Sequence, residues 1–233
     1  DVHKHHYIHG DISAKNVLLD PVSLKLKLCD FGLSTQLGRQ QKQAHDGFLR
    51  GSLEYMSPEQ KGRTNLEVDY RSDFYSLGIT LYELFFGQKP FQTDDPMAML
   101  HFHLAVMPTP LHQIEPSIPE AVSNIVQTLL AKFPGERYQS SHGLQVDLQT
   151  CLDQWRRSKD IASFELGRAD IPERFCVSNK LYGREAEKAV LFNAFERAAR
   201  GRAELLLISG YSGVGKTALV NELHQPIVAA RAY

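Results

Sequence analysis

His9-Gly10-Asp11-Ile12-Ser13-Ala14-Lys15-Asn16, followed after two short apolar runs by Asp30-Phe31-Gly32, decides the reading of this chain. The runs between them are strand-like. Val17-Leu18-Leu19 is continuous, and Leu24-Lys25-Leu26-Lys27-Leu28 alternates apolar and polar with period two. Asp20-Pro21 between them is a turn signal. From Leu33 to Met56 no period is sustained and Gln, Gly and Ser are frequent, which predicts a long loop.

Helical patterns follow. Ser72 or Asp73 is placed to cap a helix running to Phe86 and ending at Gly87, apolar on most faces and therefore buried. Ala121 to Phe133 carries a one-sided stripe of Val122, Ile125, Val126, Leu129 and Leu130, stopped by Pro134-Gly135. Ser140 to Trp155 carries Leu144, Leu148, Cys151, Leu152 and Trp155 on one side, expected as core. Pro108, Pro110, Pro116 and Pro119 mark an extended connection between helices. Residues 156–180 are charged and mixed, and read as a linker. Glu185 to Ala199 is amphipathic, Glu204 to Ser209 has a buried-strand pattern, and a helix is expected from Lys216.

Composition narrows the function classes. The net charge of −1 gives no general pull toward nucleic acid or anionic lipid. Cys29, Cys151 and Cys176 are far apart without CxxC spacing, so neither a disulfide framework nor a zinc site is expected, and a cytoplasmic setting is the default. The longest apolar stretch, Leu77 to Phe86, contains Glu83 and is about half the roughly twenty residues a membrane helix needs. His3, His5 and His6 are expected as a solvated helix end rather than as metal ligands.

The order His9-Gly10-Asp11, Asn16, Asp30-Phe31-Gly32, Met56-Ser57-Pro58-Glu59, Asp73 and Arg137 resembles the protein-kinase family across residues 1–155. Gly51 to Glu59 is similar to the Ser/Thr class. The resemblance implies roles. Phosphoryl transfer is mostly positioning plus charge neutralisation. Asp11 would accept or orient the proton of the substrate hydroxyl, and Asn16 and Asp30 would hold Mg2+ through hard oxygen ligands. Glu59 and Arg137 would form a buried ion pair, and Asp73 would hold the catalytic-loop backbone. His9 would pack beneath that loop. The family's Gly-rich loop and Lys–Glu pair would precede Asp1, so residues 1–233 alone are expected to be inactive.

Two positions depart from the family. Gly10 stands where an Arg normally meets an activation-loop phosphate. On that observation we hypothesise that loop phosphorylation is not the on-switch. A large gain in activity on phosphorylation at Ser34, Thr35 or Ser52 would refute this. Ser13 stands where Ser/Thr kinases place a Lys toward the γ-phosphate, and Lys15 is the expected substitute. These departures keep a second reading open, a pseudokinase-type signalling scaffold with a nucleotide-gated ATPase switch.

Gly210-Tyr211-Ser212-Gly213-Val214-Gly215-Lys216-Thr217 matches GxxxxGK[ST] between a strand pattern and a helix pattern. Such a loop turns backbone N–H groups toward phosphates. Gly210, Gly213, Val214 and Gly215 would form the cradle, Lys216 would reach the β- and γ-phosphates, and Thr217 would ligate Mg2+. Lys180-Leu181-Tyr182-Gly183-Arg184-Glu185 resembles the opening of AAA-type and STAND-like ATPase domains. The residues after Thr217 offer no acidic Walker B group or arginine finger, so this reading extends to ATP binding and stops short of hydrolysis.

The expected architecture is therefore α+β. A mostly helical protein-kinase C-lobe (1–155) and a linker (156–180) precede the start of an α/β P-loop NTPase domain (181–233). Expected ligands are ATP and Mg2+, and the expected partner is a protein Ser/Thr substrate. The junction resembles large multi-sensor signalling kinases, which implies sensor or histidine-kinase domains elsewhere in the chain.

Overall fold

Helix α1 (Arg71–Phe86) is the centre of the lobe, and its sequence explains its burial. Phe74, Tyr75, Ile79 and Tyr82 are all buried. Ser76 and Thr80 bring hydroxyls into this interior, but each donates to the carbonyl four residues back, at 3.3 and 2.8 Å, so neither is left unpaired. In this computed structural model, residues 2–36, 53–61, 66–172 and 183–223 are described.

The start of α1 differs from the sequence expectation. Neither Ser72 nor Asp73 caps it. Asp69 accepts from Arg71 N at 2.8 Å instead, because the carboxylate of Asp73 faces the loop containing His9. The end agrees, with Gly87 donating to Glu83 O at 2.7 Å.

Helix α2 (Pro96–Ala105) is an addition to the expected set. Asp95 accepts from Met97 N and Ala98 N at 3.0 and 3.2 Å, and Pro96 occupies the first turn. This Asp-Pro start is a helix signal. Within the Pro-marked connection sits a single turn, α3 (Leu111–Ile114), whose Leu111 is fully buried. Helix α4 (Glu120–Leu129) is shorter than its pattern, and its stripe of Val122, Ile125, Val126 and Leu129 lies in the core as expected. α4 packs on α1 because Gly78 allows it. A Cβ there would lie 2.9 Å from Leu129 Cβ and 3.0 Å from Leu130 Cγ.

Helix α5 (Ser141–Ser158) packs on α4 through Leu144 and Cys151, while Leu148, Leu152 and Trp155 stay partly exposed. The stripe expected as core is thus only half buried. After Lys159 the chain turns back. Ile161, Phe164 and Leu166 pack against the core, and Gly167 N donates to Asp147 Oδ2 at 2.8 Å. The first part of the stretch that composition marks as linker is a strap on the lobe, and residues 173–182, including Cys176, lie outside the described set.

Two small antiparallel pairs complete the lobe. β1 (Tyr7–Ile8) pairs with β4 (Thr35–Gln36), and β2 (Val17–Leu19) pairs with β3 (Leu26–Leu28) in the register Val17↔Leu28. Asp20 closes the turn between β2 and β3, accepting from Val22 N at 3.0 Å and Ser23 Oγ at 2.5 Å. Most of the expected long loop, 37–52 with its Gln-rich part, Gly51 and Ser52, falls outside the described residues.

Within residues 183–223, helix α6 (Glu185–Ala199) forms as its pattern predicts and buries Leu191 and Ala194. Helix α7 (Lys216–Asn221) begins at the expected Lys216. The strand expected over Glu204–Ser209 is not formed. Leu205 and Leu207 are 97% and 89% exposed, and no neighbouring strand pairs with this segment among the described residues. A lone extended segment has no partner for its backbone, so its apolar pattern has nothing to pack on.

Candidate functional site

The loop from His9 to Asn16 is held from both sides. Asp73, buried on α1, accepts from His9 N at 2.8 Å and Gly10 N at 2.9 Å. His9 is fully buried and its Nε2 lies 3.1 Å from Cys29 O, just before Asp30. Its ring also meets Phe31 at 4.7 Å between centroids. One residue thus ties the loop to the Asp30-Phe31-Gly32 turn.

Asn16 joins the same framework. Its Nδ2 donates to Asp11 O at 2.8 Å and to Asp11 Oδ2 at 3.0 Å. Its carbonyl accepts from Cys29 N at 3.0 Å and from Cys29 Sγ at 3.3 Å. With the amide nitrogen so engaged, the amide oxygen remains for a cation, in line with the hard-oxygen chemistry Mg2+ requires. Asp30 has φ +62°, a left-handed conformation that Asp tolerates better than most residues. Its Oδ1 accepts from Gly32 N at 3.2 Å, and a Cβ on Gly32 would lie 3.1 Å from that same oxygen.

Gly10 has φ +81°, and a Cβ there would lie 3.0 Å from Leu33 O. Ser13 is fully buried and its hydroxyl has no partner among the described residues, so its side chain points into the lobe. Lys15 is exposed on the short 3-10 turn Ala14–Asn16.

The Glu59–Arg137 pair is present and fully buried. Arg137 donates to Glu59 at 2.7 and 2.9 Å, and Ser72 Oγ donates to Glu59 Oε1 at 2.7 Å. Burial alone would push the Glu59 carboxyl up, but the Arg137 hydrogen bonds and charge, with Ser72, hold it below its ordinary value.

Two contributors escaped the sequence reading. Gln60 accepts from Ser57 N and donates to Gly10 O, both at 3.0 Å, linking the segment after the activation loop to the catalytic loop. His3, expected in a solvated helix end, has its ring Nε2 2.8 Å from Asp73 Oδ2 and packs near Tyr70 and Phe74. His5 and His6 do stay exposed, and no metal-binding cluster occurs among the described residues.

The second site is a separate loop. Gly213 and Gly215 adopt φ +79° and +92°, as a cradle with inward N–H groups requires. Gly210 packs on Val214, where a Cβ would meet Cγ1 at 3.0 Å. Lys216 Nζ curls onto its own loop, donating to Gly210 O and Tyr211 O at 2.9 and 2.8 Å. Thr217 is exposed beside it.

The protein-kinase-domain family model matches residues 1–148, and this chain belongs to that family. An AAA ATPase domain model matches residues 180–233, so the chain joins a kinase domain to an AAA-like module. Among similar proteins, the hybrid signal transduction histidine kinase G of Dictyostelium discoideum is 37% identical over 195 residues, 75% of this chain. The Bacillus subtilis serine/threonine-protein kinase PrkC is 34% identical over 151 residues, 65% of this chain. Histidine protein kinase 1 of Candida albicans is 28% identical over 254 aligned positions, 97% of this chain. The chain spans 6%, 23% and 10% of these relatives' own lengths. Kinase and AAA domains imply ATP binding, generally with Mg2+. No helix among the described residues is long and apolar enough to cross a membrane.

Proposed function

We propose that the full-length protein is an ATP-dependent serine/threonine protein kinase acting in cytoplasmic signal transduction. In this reading the kinase lobe is followed by an ATP-binding P-loop module and accompanied by sensor or histidine-kinase regions. The observation that carries it is the convergence of Asp11, Asn16 and Asp30 through the Asn16–Asp11 bonds and the Cys29–Asn16 bonds.

Asp11 orients the substrate hydroxyl and takes its proton. Asn16 holds Asp11 in place with one end of its amide and offers the other end to a cation. Asp30 supplies the second carboxylate. Asn16 and Asp30 would hold Mg2+, which would supply neutralisation of the charge developing on the transferred phosphoryl group. Lys15, exposed beside Asn16, is the group that reaches that phosphoryl in place of the buried Ser13. In the P-loop, Lys216 would hold the β- and γ-phosphates, and Thr217 would offer a hydroxyl ligand to Mg2+.

The test is γ-phosphate transfer from Mg-ATP to a Ser/Thr peptide by the full-length protein beside Asp30→Ala and Lys216→Ala variants. Loss of transfer in Asp30→Ala, with transfer retained in Lys216→Ala, supports the reading. A wild-type protein that transfers nothing, yet binds ATP through Lys216, returns the kinase lobe to a scaffold role.

A further inference from the structure

The strap that follows α5 returns to the start of that same helix. Lys159 at φ +57° reverses the chain. Asp170 then caps the helix entrance, accepting from Gln139 N at 2.7 Å through Oδ2, and from Ser140 N and Ser140 Oγ at 2.8 Å each through Oδ1. Ser140 Oγ in turn accepts from Gly143 N at 2.9 Å. One carboxylate thus serves two orphan amides and orients the capping hydroxyl, where negative charge is also favoured by the helix dipole.

The fit depends on Gly143. A Cβ at that position would lie 2.5 Å from Asp170 Cβ and 2.6 Å from Asp170 Cα. No side chain longer than hydrogen is compatible with the docked strap. A second anchor lies one turn along, where Asp147 Oδ2 accepts both Gly167 N at 2.8 Å and Tyr138 Oη at 2.6 Å.

The residues that Asp170 holds lead directly to the catalytic loop. Gln139 O accepts from Tyr70 Oη at 2.8 Å, and Gln139 Oε1 accepts from Arg71 Nη1 at 2.8 Å. Tyr70 and Arg71 open α1. The Tyr70 ring lies 5.6 Å from that of His3, and His3 contacts Asp73 at 2.8 Å. Asp73 grips His9 N and Gly10 N. Every step is a hydrogen bond or ring contact between packed groups, the kind of contiguous network through which coupling can travel.

We propose that Asp170 is a positioning residue for the catalytic loop. The docked strap fixes Gln139 and Ser140, these fix the opening of α1, and Asp73 thereby keeps its grip on His9 and Gly10. The strap also leads in sequence to the P-loop half, so movement of that half has a covalent handle on the kinase site. The catalytic part of this inference rests on the kinase reading, whereas the docking and loop-holding parts do not.

The experiment uses the full-length protein as wild type, Asp170→Ala, Asp170→Asn and Gly143→Ala. Residue-resolved amide hydrogen exchange is followed at Gln139, Ser140, His9 and Gly10, alongside kcat and KM for Mg-ATP and a Ser/Thr peptide. Asp170→Ala and Gly143→Ala should each speed exchange at all four amides. Both should lower kcat by about tenfold, within the 5- to 150-fold span of ordinary inter-site coupling, while KM changes little. Asp170→Asn, which keeps one acceptor oxygen, should fall between. Gly143→Ala is the sharper variant, because helix propensity alone predicts that it stabilises α5. Faster exchange at Gln139 and Ser140 with His9, Gly10 and kcat unchanged would reduce Asp170 to a helix cap and overturn the proposal. Unchanged exchange at Gln139 in Gly143→Ala would overturn the docking itself. Should the wild type transfer no phosphate, the kinase reading fails, and the His9 and Gly10 amides alone decide the positioning role.

Discussion

Replacing Arg137 with Met should cost the kinase lobe about 3–5 kcal/mol, the range for breaking a buried ion pair by removing one partner. Arg137 gives Glu59 two charged bonds, at 2.7 and 2.9 Å, and also donates to the carbonyls of Ala131, Arg71 and Lys132 at 2.8, 2.9 and 3.1 Å. Met fills similar volume but leaves all of these acceptors without that donor, and among the described residues Glu59 keeps Ser72 alone as a side-chain partner. Adding about 1.5–3 kcal/mol per charged bond would overshoot, because bonds that share one charge are not independent. Trp155, the lone tryptophan, sits on α5 and gives a probe specific to this lobe. With a urea slope of about 2 kcal/mol/M, the unfolding midpoint read by its fluorescence should fall by about 2 M. Glu59→Met combined with Arg137→Met should cost much less than the sum of the single changes, since no charge is left stranded. A single-variant loss under about 1 kcal/mol, or strict additivity in the double, would refute the reasoning.

Acid gives a second handle on the same pair. Because the folded-state pKa of Glu59 is depressed, its stabilising contribution is complete above the ordinary value of 4.5 and is lost as pH falls through the lower folded value. In Arg137→Met, burial dominates instead and favours the neutral acid. The stability gap between wild type and variant should therefore narrow as pH falls, starting above 4.5 where the variant's carboxyl takes up its proton and continuing below 4.5 where the wild type's does.

Gly10→Ala should destabilise the lobe by about 1–2 kcal/mol, the cost of an L side chain in the left-handed region. Crowding of Leu33 O at 3.0 Å adds to it, and the Trp155 unfolding curve measures the loss. A neutral outcome would mean that φ at Gly10 relaxes freely. The buried lysines give a prediction of the same pH sense in a higher window. Burial, aided by Arg137 and Lys61, pushes Lys132 down to about 7, and burial pushes Lys61 down to about 8, both from 10.5. The unfolded chain then binds more protons across this window, so stability should rise with pH from about 7 toward 10. Lys132→Met should flatten that rise, which titrating the urea midpoint with pH would detect.

Much of the candidate sites was legible because they are drawn from residue types at short spacings. Asp11 and Asn16 share one loop, Lys216 and Thr217 end another, and no tertiary knowledge is needed to see either. Glu59–Arg137 and the Asp73 grip were legible only through the family resemblance, since 78 and 64 residues separate the partners. What stayed hidden was of a different kind. His3 and Gln60 are polar residues in polar surroundings, and nothing local distinguishes a solvated side chain from one that meets a distant carboxylate or carbonyl. Neither Ser72 nor Asp73 caps α1 as expected, because Asp73 is already committed to two amides on another element, and Asp69 accepts from Arg71 N instead. Glu204 to Ser209 read as a strand, but a strand is a property of at least two segments, and local pattern cannot supply the second.

The strap is the sharpest instance. Its charged composition follows from side chains such as Glu165 and Arg168 that face solvent, which is also how a free linker reads. The docking is carried by Ile161, Phe164 and Leu166, by one amide of Gly167, and by the carboxylate of Asp170. Composition reports the face a segment turns to water, while docking depends on the few groups it turns inward. Gly143 is the clue the sequence did contain. A glycine in the first turn of an 18-residue helix lowers its helix propensity, and the room it leaves here is taken by Asp170. A helix-destabilising residue at a site with no turn to make is therefore the local trace of a long-range contact.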